Sequence, residues 1–128
     1  MSLRPDNKLL LLLFALKAEA KPIIRKLELR ALNKYSKPYY ESDKIGLIIT
    51  GVGSSKSSSD LLEIVESINP RAICNIGVCG STNKKWPVGS TFYVNKVINA
   101  ENGAVFYPDL LINNDFPEAI LYSYSVPQ

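Results

Sequence analysis

At 128 residues, with 46% hydrophobic and 21% charged, the chain has the size and balance of one folded globular domain and not of a disordered segment. A net charge of +3, from 15 basic and 12 acidic residues, is too slight to point to nucleic acid or a membrane surface as a partner. The sequence has no histidine, which excludes a Ser-His-Asp triad, a Cys-His pair and histidine-based metal sites within these residues; neither metal nor cofactor is expected.

In chain order, residues 9–16, LLLLLFAL, form a continuous apolar run with charge on both sides. Such a run reads as a strand buried on both faces, as parallel sheets require. Its start also resembles a secretory leader, with Ala18-Glu19-Ala20 as an A-x-A site. Lys17 and Glu19 put charge in that cleavage region, so secretion is the lesser reading and a cytoplasmic protein the main one. The run is too short for a bilayer, which needs about 20 apolar residues.

Helical signals follow at once. Ala20, Ile23, Ile24 and Leu27 fall on one face, while Lys21, Arg25 and Lys26 face away. Pro22 is expected in the first turn, where its missing N–H costs nothing, so the strand-to-helix turn centres on Lys17-Ala18-Glu19. Tyr35 to Ser42, around Pro38, reads as an edge strand. Ile45 to Thr50 is a second buried strand, followed by Gly51-Val52-Gly53-Ser54-Ser55. A helix then runs through Ile68, with Leu61, Leu62, Val65 and Ile68 as its apolar face and Ser57 and Asp60 fitting a capping box; Asn69-Pro70 stops it.

Ala72 to Ile76 is a third apolar strand ending in Gly77-Val78-Cys79-Gly80, and a polar loop leads to a long strand over Thr91 to Val97. Cys74 and Cys79 read as two small buried residues on opposite faces of one strand; a disulfide or shared metal is not expected, which suits a reducing compartment. No Lys or Arg follows Lys96, whereas Glu101, Asp109, Asp115 and Glu118 do, which reads as an acidic surface tail. In that tail Ile120, Tyr122, Tyr124 and Val126 alternate with Leu121, Ser123 and Ser125 as a half-exposed strand with nothing after Gln128 to cover it, and the ending reads as a cut. Strands alternating with helices imply one α/β domain over residues 1–128, with a mostly parallel, mixed and twisted sheet flanked by helices.

In open α/β sheets, ligands bind beyond the carboxyl ends of the strands. Three such ends stand out: Lys17-Ala18-Glu19, Gly51-Val52-Gly53 and Gly77-Val78-Cys79-Gly80. Singly, each has a plain structural explanation. A Gly-x-Gly after a strand is usually a tight turn, and a carboxylate such as Glu19 at a helix start is favoured by the dipole whether or not it reacts.

Taken together, FALKAEAKPI, LIITGVGSSKSSSDLL and PRAICNIGVCGSTNKKWPVGSTFYVNKVI resemble the N-terminal half of the nucleoside phosphorylase/nucleosidase superfamily. The branch most similar is that of methylthioadenosine/S-adenosylhomocysteine nucleosidase, over roughly residues 8–100. The resemblance implies a phosphorylase/hydrolase-like fold, a nucleoside-type small molecule as partner, and cleavage of the N-glycosidic bond of a purine nucleoside. Glu19 falls at the position of a glutamate that deprotonates or positions water, where phosphorylases of the family tend to carry a phosphate-binding arginine. Gly51, Gly53, Gly77, Val78, Cys79 and Gly80 map onto the loops lining the ribose or nucleophile side, and Val78 departs from the serine common in nucleosidases. The family's base-binding contacts and leaving-group acid map onto no residue here, so a truncated, slow or inactive member is expected; losing acid assistance costs roughly 10²–10⁴-fold. Two other readings stay open: a non-catalytic α/β binding or oligomerisation module, and a phosphate-dependent phosphorylase. The exposed tail strand is expected to seek a partner chain, making a homo-oligomer.

Overall fold

The computed structural model describes residues 9–52, 55–109 and 115–124. The chain divides into two compact units, residues 1–79 and 80–128. The first contains β1 (Leu10–Phe14), α1 (Lys17–Lys26), β2 (Arg30–Leu32), β3 (Tyr39–Glu41), β4 (Ile45–Ile49), α2 (Ser55–Ile68) and β5 (Ala72–Asn75). They build a five-stranded sheet in the order β2-β3-β4-β1-β5. β1 runs parallel to β4 on one side and to β5 on the other, while β2, β3 and β4 pair antiparallel. The expected mixed α/β sheet with flanking helices is therefore present.

β1 explains why its sequence is apolar without a break. Leu12 and Phe14 point to one face, where they meet Ala20, Ile23 and Ile24 of α1 together with Leu29, Leu47 and Ile49. Leu11 and Leu13 point to the other, where Ile48, Tyr39 and the α2 residues Leu61, Ile64, Val65 and Ile68 cover them. Both faces are core, so no position can be polar. Each fully buried Leu or Phe contributes up to about 1.5–3 kcal/mol relative to exposure.

Several expectations need correction. α1 begins at Lys17, so the turn is Ala15-Leu16 and Pro22 lies inside the helix, past its first turn. Leu27 is its C-cap, and Glu28 follows with φ 53. The Glu28 and Leu29 N–H groups bond back to the Arg25 and Ile24 carbonyls, and Leu29 is buried against the α1 face in the place expected of Leu27. On this side of the sheet the edge strand is β2, unforeseen in the sequence, and β3 is an interior strand between β2 and β4. On α2, Ile64 is buried and Leu62 is 59% exposed, because 61, 64, 65 and 68 make the helical stripe and Leu62 sits about 100° off it. With α2 starting at Ser55, Ser57 falls within the first turn and not at the cap.

The second unit contains β6 (Tyr93–Asn99), β7 (Val105–Phe106) and β8 (Glu118–Ser123), in the order β7-β6-β8. β6 starts two residues later than expected, and β7 was not foreseen. The tail strand β8 is not unpaired: it runs parallel to β6 from Glu118 to Ser123, with an irregularity between Val94 and Lys96. Val126 lies outside the described residues. Among the described residues no helix is long and apolar enough to cross a membrane.

Candidate functional site

Because β4, β1 and β5 are parallel neighbours, their carboxyl ends leave the same edge of the sheet, with Phe14 opposite Ile49 and Leu13 opposite Asn75. Strand spacing places the tips of β4 and β5 about 10 Å apart, with β1 between them. The turns are tied to one another. Thr50 N–H donates to the Phe14 carbonyl at 2.8 Å and Gly51 N–H to the Ala15 carbonyl at 3.1 Å. On the other side, Ile76 N–H donates to the Leu13 carbonyl at 2.9 Å.

Glu19 sits in this corner, half-buried in the first turn of α1. Its Oε1 accepts the Leu16 N–H at 3.1 Å, which satisfies one of the amides a helix start leaves unpaired. Leucine has no side-chain acceptor, so Leu16 cannot complete a reciprocal cap. Glu19 Oε2 accepts the Val78 N–H at 3.2 Å, from the loop after β5. One carboxylate thus joins the β1–α1 corner to the β5 loop, and the helix dipole favours its charge there.

The other expected site residues fall as follows. A Cβ built on Gly77 would stand 3.8 Å from Glu19 Oε2, so Gly77 borders the carboxylate. Val78 gives its backbone to Glu19 while its side chain is 85% exposed. Cys79 is exposed and lies beyond β5, so it shares no strand with half-buried Cys74, and the reading of two buried cysteines on one strand fails for Cys79. Burial raises the Cys74 thiol pKa above its ordinary value. Gly51 holds φ 77 with nothing within 4 Å of a would-be Cβ, so the turn needs glycine for its backbone conformation and not for room. Gly53 lies outside the described residues, and Gly80 is the first residue of the second unit.

Sequence reasoning missed three contributors: Leu16, Thr50 and Lys37, whose Nζ donates to the Thr50 carbonyl at 2.7 Å. Only Lys37 left a trace, since it precedes Pro38, which interrupts a ladder. A groove of about 460 Å³ runs along the β2–β3 hairpin, lined by Asn33, Tyr35, Lys37 and Tyr39 among others but not by Glu19. Among the described residues no group of three or more His, Cys, Asp or Glu side chains is placed to hold a metal.

Solved structures share this architecture. The chain superposes on a 5'-methylthioadenosine nucleosidase mutant of Helicobacter pylori, solved with 5'-methylthioadenosine in its active site, with TM-score 0.77 and 12% identity, covering 93% of this chain and 65% of that one. A futalosine hydrolase mutant of Helicobacter pylori gives TM-score 0.77 at 11% identity, with 94% and 70% covered. An AMP nucleosidase of Bacteroides thetaiotaomicron gives 0.70 at 15%, with 95% and 60% covered. At these identities the likeness establishes a nucleosidase-like fold, and the chain spans less than two thirds of the length of the first of these relatives. No curated protein sequence matches the chain significantly. The family model described as the phosphorylase superfamily matches residues 10–124, nearly the whole described chain, and the protein belongs to that superfamily.

Proposed function

We propose that the edge formed by β4, β1 and β5 takes the sugar side of a purine nucleoside of the methylthioadenosine or adenosylhomocysteine type, and that Glu19 acts as base toward water. The observation that carries this reading is the Glu19 carboxylate at the β1–α1 corner, in hydrogen-bond contact with the loop after β5. A carboxylate there repels phosphate and can accept a proton from water, so hydrolysis is favoured over phosphorolysis. In the reaction the water oxygen bonds to the anomeric carbon, the C–N bond breaks with its electron pair on the base, and Glu19 takes the proton from water. No residue of this chain is assigned to protonate the departing base, so turnover is expected to be slow. Gly51, Gly53, Gly77, Val78, Cys79 and Gly80 are proposed as the ribose and nucleophile side, acting in one cytoplasmic domain over residues 1–128 without metal or cofactor. A homodimer or larger assembly belongs to the same proposal, since Ile120 and Tyr122 of β8 and the following Tyr124 stand about half exposed.

A second reading has its own observation. Both Glu19 oxygens already accept backbone N–H groups, so the residue also serves as a staple between two loops in a non-catalytic module. Adenine release from methylthioadenosine, measured for wild type and Glu19→Gln beside their melting curves, separates the two. The base role requires release to fall at least about 100-fold with little change in melting. Release untouched by the substitution refutes that role, and a lower melting temperature with ligand binding retained favours the staple.

A further inference from the structure

Antiparallel pairing places Tyr39 opposite Ile48, which puts Pro38 opposite Ile49. Ile49 N–H donates to the Pro38 carbonyl at 3.1 Å, but proline has no N–H with which to return the second bond of that pair. The ladder between β3 and β4 therefore ends one residue short of the sheet edge. One step further on, the backbone no longer carries the pairing and a side chain takes over: Lys37 Nζ reaches the Thr50 carbonyl at 2.7 Å. Thr50 is the last residue before the left-handed Gly51, and its N–H is bonded across to Phe14 of β1. The carbonyl that Lys37 holds is part of the peptide unit joining Thr50 to Gly51, and that plane sets where the Gly51 turn points.

We infer that Lys37 is a positioning residue for the site, a cationic clamp that replaces the ladder bond lost at Pro38 and fixes the Thr50–Gly51 peptide against the β1 corner. The inference rests on the proposed nucleoside reading for its effect on binding, but the clamp itself does not. A charged donor to a carbonyl is among the stronger protein hydrogen bonds, and an ammonium can swivel to hold the oxygen where a planar amide could not. Removing it leaves Gly51, the residue with the widest backbone freedom, free to sample orientations that do not fit a ligand.

Lys37→Met keeps the aliphatic stem and removes the donor; Lys37→Arg keeps a donor and a charge. Calorimetric titration with methylthioadenosine is expected to show affinity about 5- to 10-fold weaker in Lys37→Met and restored to within about twofold in Lys37→Arg, the size of one lost positioning bond. Amide hydrogen exchange, measured without ligand, is expected to speed up at Thr50 and Gly51 in Lys37→Met while Leu12 and Leu47 in the sheet centre hold their protection. Unchanged exchange at Thr50 and Gly51 overturns the clamp, as does a uniform loss of protection across the sheet, which would mean general destabilisation. Faster exchange with affinity unchanged overturns the positioning role. A wild-type chain that binds no nucleoside refutes the function proposed above, and the clamp is then decided by exchange alone.

Discussion

Gly46 in β4 offers the sharpest test of the packing around this sheet. A Cβ at that position would stand 2.9 Å from Tyr39 Oη, 3.2 Å from Tyr39 Cε1 and 3.3 Å from Leu11 Cδ1. Neither neighbour can withdraw freely, since Tyr39 and Leu11 are both buried and the Tyr39 hydroxyl donates to Glu41 Oε1 at 2.7 Å. Gly46→Ala therefore forces the ring to shift and strains or breaks that bond. Overpacking of a buried site costs about 1–3 kcal/mol. A weakened hydrogen bond to a carboxylate adds about 1 kcal/mol, and the better strand propensity of alanine returns about 0.5–1 kcal/mol. The expected loss is about 1–3.5 kcal/mol, read by urea unfolding followed by circular dichroism as a lower midpoint at unchanged slope. Tyr39→Phe removes the oxygen of the shortest contact, so Gly46→Ala is expected to cost about 1 kcal/mol less in that background than in wild type. A Gly46→Ala loss below about 0.5 kcal/mol, or strict additivity of the two substitutions, refutes this account of the packing at Gly46.

The remaining expectations concern helix ends, faces and pH. Glu28→Gly, at the left-handed residue closing α1, is expected to raise stability by about 0.5–1 kcal/mol in the same assay, because glycine adopts that conformation without a Cβ penalty. Ile64→Ala is expected to cost about 2–4 kcal/mol and Leu62→Ala less than about 0.5 kcal/mol; equal costs would mean that the α2 face is misassigned. Burial first, then the hydrogen bond and charge of Glu41 and the charge of Tyr35, hold the Tyr39 phenol well above its ordinary 10.0. Its folded-state proton is kept where the unfolded chain sheds it, so stability is full below about pH 10 and declines above it, by up to about 1.4 kcal/mol per pH unit. Tyr39→Phe is expected to flatten that part of an unfolding-versus-pH curve, and an unaltered slope would assign it to other groups.

Most of the first unit was legible because its signals are local. The run from Leu9 to Phe14 can only be a strand covered on both faces, and the 3.6-residue spacing of Ala20, Ile23 and Ile24 names the face of α1. What escaped notice depends on partners distant in sequence. Arg30–Leu32 is too short to announce a strand, and exists because Tyr39–Glu41 pairs with it. Leu62 and Ile64 differ little as side chains, and only the direction from which the sheet approaches decides between them. At the site, Glu19 and Gly77 could be placed on two strand ends, whereas the bond from Val78 to Glu19 needed β1 and β5 to be neighbours. The pairing of β8 with β6 was hidden for the same reason, since alternation reveals one face of a strand but not whether its edge is taken.

The string of five identical residues at Leu9–Leu13 makes β1 an unusual template. Slide it by one place against its neighbours and, over most of its length, leucine replaces leucine on both sides of the sheet. The packing there cannot sense the slip. Alignment must instead be dictated where the monotony ends, by the ring of Phe14 and by the first turn of α1 just behind it. Loss of one leucine from the string would accordingly shorten the segment leading into the strand and leave the β1–α1 corner where it is, whereas an extra residue between Phe14 and Leu16 would carry Glu19 out of reach of Val78.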